Sequence, residues 1–233
     1  DNLPENSKNM GVRGSVLVND ISDNICGYAI SGPNSRKVIS ELTNENMSNE
    51  EFKFMNCKEV DIGLIRAKVG RLSVSGELGY EINCHALEMS SLREMLLRVG
   101  NKYNIREYGY YALNSLRMEK SFGIWNSEFM QAYTPMETRM DRWINCDKDV
   151  NFIGKKSFLI EKEKNVNDLE KILVTLEIEN AESEAVGYEP IWDLDGNRIG
   201  MTTSGGYGYS VKKSLAMALI DPKFMNLNSK LKI

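Results

Sequence analysis

The stretch EVDIGLIRAKVGRLSVSGELGYEINC, residues 59–84, decides how this chain folds. Ile65, Ala67 and Val69 alternate with polar neighbours, Leu72 and Val74 continue the period, and Tyr80 and Ile82 resume it. A repeat of two sends successive side chains to opposite faces of a strand, so the stretch predicts antiparallel sheet with one apolar face. Gly76 and Gly79 bracket a tight turn inside it, and Glu77 and Glu81 flank that turn.

Upstream, residues 14–18 and 27–30 are two expected strands, separated by turn-forming residues 19–24. Pro33, Asn34 and Ser35 then precede Val38, Ile39 and Leu42 at helical spacing, with Asn34 or Ser35 placed to accept a bond from a free backbone N–H. Downstream, Met89, Leu92, Met95, Leu96 and Val99 recur every three or four residues, and Gly100 follows where a C-cap glycine sits. A second helix is expected over 111–120, with Ala112, Leu113 and Leu116 on its apolar face and Asn114, Arg117 and Lys120 on its polar face. A third, short helix is expected over 155–164.

The charged run 161–168 reads as a solvated connection, which places a domain boundary there and divides the chain into residues 1–165 and 166–233. Beyond it, residues 172–178, 189–192, 197–203 and 215–220 alternate or run apolar, with Asp195 and Gly196 as a hairpin turn signal. Short strands joined by tight turns predict a small β-barrel after the first region of antiparallel sheet and helices. The expected fold class is α+β.

Composition excludes several functions. At 42% apolar and 27% charged residues the chain buries an ordinary globular core, and its net charge of −4 lacks the basic excess of a nucleic-acid-binding surface. No apolar run approaches the roughly 20 residues of a membrane span. Cys26, Cys57, Cys84 and Cys146 lie far apart in sequence without a C-x-x-C pair, and read as reduced thiols in a cytoplasmic setting. The start at Asp1 and the finish at Ile233 in strand-like sequence read as an incomplete piece.

Generic catalytic signatures are absent. The run SGGYGYS, residues 204–210, has the spacing of neither a phosphate loop nor a dinucleotide fingerprint and reads as a flexible turn between strands. His85 is the single histidine, too little for the usual histidine-built metal or nucleophile sites, so no metal is expected. A carboxylate such as Glu81 beside an aromatic such as Tyr80 can accept two parallel hydrogen bonds from an amidine-like edge while the ring packs on a heterocycle. A pterin presents such an edge. From residue chemistry alone, Glu77 and Glu81 read first as surface carboxylates at a hairpin, and Arg117 as the partner of Glu119 or another local acid.

Several segments, in order, resemble the glycine-cleavage T-protein family. They are GELGYEI at 76–82, YGYYALNSLRMEK at 108–120, Trp125, TPME at 134–137, Asp149 with FIGK at 152–155, and TTSG at 202–205 before SLA at 214–216. The run ALNSLR at 112–117, with Glu119, Lys120 and the following tryptophan, is most similar to the C-terminal halves of dimethylglycine and sarcosine dehydrogenases. Leu113 stands where stand-alone T-proteins carry a folate-holding arginine, which argues against a free glycine-cleavage role. Arg117 matches an arginine shared by both groups.

The resemblance implies a folate-binding domain followed by a barrel, with tetrahydrofolate as cofactor and a small N-methylated amine as substrate. Glu81 matches the carboxylate that binds the pterin ring, and Tyr80, Arg117, Glu77 and Arg142 are the further expected contacts. Val74 replaces an aromatic of the dehydrogenase pattern. The family's aspartate that organises the reaction and the dehydrogenase's FAD-binding half are implied to lie ahead of this sequence, so no catalytic residue is named in it. Moving a one-carbon unit from aminomethyl-lipoate or a sulfonium donor, or binding folate without turnover, are the alternative readings.

Overall fold

A computed structural model describes residues 19–179 and 183–233. The expected strand at 14–18 lies outside them. Backbone contacts divide the chain into two compact units, one of residues up to Ser73 with Leu78–Ile105, the other of Val74–Glu77 with Arg106–Ile233. The division by backbone contacts falls after Ile105, and the 165/166 boundary expected from the charged run lies inside the second unit. The fold class is α+β, as expected.

In the first unit, β1 (Ile25–Ser31), α1 (Ser35–Ser40), β2 (Cys57–Ile62), β3 (Ile65–Gly70), β4 (Gly79–His85) and α2 (Met89–Gly100) follow in order. The strands form an antiparallel sheet in the order β1-β4-β3-β2. Gly63, at φ 61°, begins the two-residue turn between β2 and β3, where a glycine-first hairpin needs a positive φ. The alternation expected of β3 and β4 holds, whereas Leu72 and Val74 fall in irregular chain between them. Val60, Ile62, Ala67, Val69, Tyr80 and Ile82 all point to one face and pack with Val38 and Ile39 of α1 and Leu92 and Leu96 of α2.

Two helix termini differ from expectation. Neither Asn34 nor Ser35 caps α1; the Ser35 hydroxyl donates instead to Leu78 O at 3.0 Å. Gly100 is no left-handed cap, since its φ is −63° and the chain winds on as a 3-10 turn to Tyr103. Asn104, at φ 58°, takes the left-handed position, as asparagine tolerates. Gly100 is needed for space: a Cβ there would come within 2.7 Å of the Ile105 side chain.

The second unit holds α3 (Tyr110–Glu119), α4 (Lys155–Lys162), β5 (Ile172–Ile178), β6 (Pro190–Trp192), β7 (Arg198–Gly208) and β8 (Lys213–Ile220). Its strands form a second antiparallel sheet, ordered β5-β8-β7-β6, with Gly196 at φ 88° in the expected hairpin turn. The glycine-rich run is mostly strand and not a turn, since residues 204–208 pair with β8. Its glycines admit close neighbours. A Cβ on Gly205 would lie 2.0 Å from the Ala185 carbonyl oxygen, and one on Gly206 would lie 2.9 Å from the Met118 side chain of α3. The faces of α3 follow the pattern only in part: Leu113 and Leu116 are partly buried and Lys120 is exposed, but Arg117 is buried with Ser115 and Met118 and Ala112 is exposed. No described helix is long and apolar enough to cross a membrane.

Candidate functional site

The first sheet has two unlike faces. Helices cover the one carrying Tyr80, Ile82 and Cys84; the other carries Glu81, Asn83 and His85, because successive residues of β4 alternate. Register places Ala29 of β1 directly across from Glu81 on one side and Gly70 of β3 on the other. Gly27 follows one pleat along β1, opposite Asn83. Directly across from Glu81, then, neither neighbouring strand carries a side chain larger than a methyl, while the Leu72 side chain lies beside Gly70 and the Asn83 amide beside Gly27. The result is a narrow platform with a partly buried carboxylate, bordered by Leu72 and Asn83, and among the described residues that carboxylate enters no hydrogen bond or ion pair.

Around the platform the polar groups are sorted. Arg66 is tied to Asp61 at 3.0 Å and Glu59 at 3.2 Å, and these two acids, Asp61 first, raise its pKa. Lys68, directly opposite Asn83, forms no ion pair among the described residues. A planar group with two adjacent N–H donors could approach over Ala29, bordered by the Leu72 and Asn83 side chains, and meet the Glu81 oxygens edge-on. The signal for this arrangement is cross-strand register, which no single strand's sequence displays.

The other expected contacts are placed differently. Tyr80 precedes Glu81 on the strand and so faces the opposite way; it is fully buried, packs 5.9 Å from Phe52 centroid to centroid, and its hydroxyl accepts from Arg36 Nε at 3.1 Å. It belongs to the core and not to the platform. Glu77 lies in the second unit at the 74–77 turn, half-exposed and paired with Lys120 at 3.1 Å. Arg142 is exposed on a short turn with its guanidinium 5.5 Å from the Trp143 ring.

Arg117 is 1% exposed and buried among protein groups. Its Nε and Nη2 donate to Asn114 Oδ1 at 3.0 and 2.7 Å, Nη2 also to Ser204 Oγ at 2.7 Å, and Nη1 to Phe122 O and Glu128 Oε2 at 3.1 and 3.4 Å. All five N–H donors are thus committed, which leaves none for a ligand. Glu128, fully buried, accepts from Thr203 Oγ1, Ser204 Oγ and the Ile124 backbone N–H. Burial lowers the Arg117 pKa, and the adjacent Glu128 opposes that shift. The expected ligand arginine is a structural one that binds α3 to β7. Glu128 was invisible in sequence because an isolated glutamate ordinarily reads as surface.

A separate depression of about 470 Å³ in the second unit is lined by Pro135, Ile144, Phe152, Phe158 and Ile160. Glu161 and Lys164 stand at its lining. None of the expected site residues reaches it.

Two family descriptions match almost end to end: residues 3–148 match the GCVT N-terminal domain, and 171–233 the glycine cleavage T-protein C-terminal barrel domain. The chain belongs to the glycine cleavage T-protein family. Mitochondrial dimethylglycine dehydrogenase of Rattus norvegicus is 34% identical over 95% of this chain and 26% of its own length. An aminomethyltransferase of Thermoanaerobacter pseudethanolicus is 33% identical over 94% of this chain and 57% of its own. The chain thus spans about a quarter of the one relative and little more than half of the other. The crystal structure of the glycine cleavage system aminomethyltransferase T from Bartonella henselae superposes with a TM-score of 0.68 over 89% of this chain and 56% of that one, at 22% identity. That likeness establishes the T-protein fold. The second sheet lies within the residues that match the family's barrel domain.

Proposed function

We propose that this T-protein-family chain binds tetrahydrofolate at Glu81 and serves one-carbon transfer within a longer enzyme of the dimethylglycine or sarcosine dehydrogenase type. The observation that carries the reading is the unpartnered Glu81 carboxylate between Ala29 and Gly70. Its two oxygens match the adjacent N–H donors of a pterin, and the small residues directly across from it leave room for the edge of a flat ring. When bound, tetrahydrofolate would supply a nitrogen that accepts the one-carbon unit. Glu81 would fix the ring's orientation, and Ala29 with the Leu72 side chain beside Gly70 would exclude water from one of its faces. Catalysis by positioning needs few titratable groups at the reacting atoms, which suits a chain with one histidine.

The dehydrogenase reading rests on the 34% identity to dimethylglycine dehydrogenase and on Leu113, where a folate-holding arginine is expected of stand-alone T-proteins. The flavin and the N-methyl amine oxidation are then assigned to sequence beyond this chain. A second reading, as an aminomethyltransferase proper, draws on nearly equal identity to such an enzyme over a larger share of its length. Formation of methylene-folate from a methylated amine supports the first, and from an aminomethyl-carrier donor the second.

Calorimetric titration of tetrahydrofolate into the full polypeptide and its Glu81→Ala variant tests the site. Loss of a charge-assisted two-point contact weakens binding by about 2–3 kcal/mol. Equal affinity in the two proteins would remove the pterin from Glu81.

A further inference from the structure

Antiparallel register sets Cys26 of β1 directly opposite Cys84 of β4, two cysteines that lie far apart in sequence. The parity of this ladder is fixed at both ends: the Ala86 N–H donates to Asn24 O at 2.9 Å, and the Gly32 N–H donates to Leu78 O at 2.8 Å. Stepping inward by two from either end makes Cys26 and Cys84 a hydrogen-bonded pair, with Cα atoms about 5.5 Å apart. That separation sits inside the range of about 4.4–6.8 Å spanned by disulfides. Opposed residues project to the same side, here the core face, where Cys84 is 2% exposed and Cys26 is partly exposed.

We propose that Cys26 and Cys84 are a redox-responsive pair that closes to a reversible intrachain disulfide, cross-linking edge strand β1 to β4. Cβ atoms at a hydrogen-bonded pair stand about 5.5 Å apart, whereas a disulfide draws them to about 3.8 Å, so closure requires one strand to shift. β1 can do so, because among the described residues it is paired on one side only. The bond formed carries strain, and strained disulfides are readily reduced, which separates a switch from a permanent staple. The inference rests on register and is independent of the folate reading.

Glutathione disulfide is a sufficient oxidant. The Cys26 thiolate, the more accessible, attacks one sulfur of the oxidant, releases one reduced glutathione and leaves a mixed disulfide. The Cys84 thiolate then attacks the Cys26 sulfur and releases the second. The protein loses two electrons, glutathione disulfide gains them, and the two thiol protons end on the two glutathiones. Burial, with Glu88 and Cys26 adding to it, raises the Cys84 pKa, which fits Cys84 as the resolving and not the attacking group.

The folded chain is equilibrated with glutathione disulfide, quenched, unfolded, and its thiols counted and mapped by mass spectrometry. Two of the four thiols are expected to disappear, with a cross-linked peptide joining Cys26 to Cys84 and lighter by two hydrogens, and excess reduced glutathione restores all four. Cys57→Ser and Cys146→Ser leave this unchanged, whereas Cys26→Ser abolishes the cross-link. Four thiols persisting in the most oxidising buffer overturns the proposal. So does glutathione retained on Cys26, Cys57 or Cys146 with no joined peptide. The mapping on the unsubstituted chain decides the matter even where a variant fails to fold.

Discussion

Arg117 and Glu81 are opposite cases of a charged side chain. Arg117 is enclosed, with each donor met by protein and Glu128 as its counter-charge, so its removal leaves an uncompensated buried carboxylate. Arg117→Met is expected to cost about 3–5 kcal/mol in urea denaturation. Arg117→Lys also destabilises, because an ammonium cannot reach Asn114, Ser204 and Phe122 O with one planar fork. A stable variant with weakened folate binding would instead make Arg117 a ligand contact. Glu81→Gln should behave in the reverse way, with stability within about 0.5 kcal/mol of the parent and folate affinity reduced. The sequence supports Glu81 as a candidate but not its partners. Tyr80 and Glu81 were expected to share a pocket although a strand's period of two separates adjacent side chains, and Arg117 was assigned to a polar face because burial of an arginine depends on an acid eleven residues on.

Elements differ in how openly their sequences announce them. α2 was legible because Leu92, Leu96 and their neighbours form one stripe; only its end was misplaced, since Gly100 answers to crowding by Ile105 and Asn104 makes the turn. Asn104→Ala should therefore cost about 1 kcal/mol in a left-handed position, and Asn104→Gly little or nothing, by thermal denaturation. β7 was partly concealed because its glycines carry no apolar period; their role is close approach, and Gly205→Ala should disrupt the second sheet because the obstructing atom at 2.0 Å is backbone. The two helices of the first unit are linked by Glu41, at the end of α1, which accepts from Lys102 and, at 2.5 Å, from the Tyr103 hydroxyl beyond α2. Those bonds, Lys102 first, hold the Glu41 carboxyl below its ordinary value. A carboxylate depressed in the folded state stabilises above its unfolded pKa of about 4.3 and loses that contribution as pH falls through the folded value. The melting-temperature gap between the parent and Glu41→Gln is expected to be constant near neutrality and to close in acid. A gap that did not change with pH would show that the carboxylate's charge contributes nothing.

At the scale of the molecule, three hydrophobic cores are divided between the two units. One is built from β1–β4 with α1 and α2 and lies within the first unit; the others, around Ile172, Ile191 and Ile220 and around Met118, Leu173 and Met217, lie within the second. This division was only half legible: the strands of the barrel domain were found from their alternation, but the contribution of α3 to the second unit depends on Arg117, Ser115 and Asn114 bonding to β7, and long-range polar contacts leave no period in a sequence. Leu92, fully buried in the first core, and Met217, 1% exposed in the second, provide the matching test. Leu92→Ala and Met217→Ala each remove a buried side chain at about 2–5 kcal/mol. In native-state hydrogen exchange, the first should lower protection of the β2, β3 and β4 amides while β7 and β8 keep theirs, and the second should do the converse. Protection lost equally in both sheets from either substitution would mean that the chain opens as one cooperative unit, and the platform around Glu81 would then depend on the barrel domain for its rigidity as much as on its own sheet.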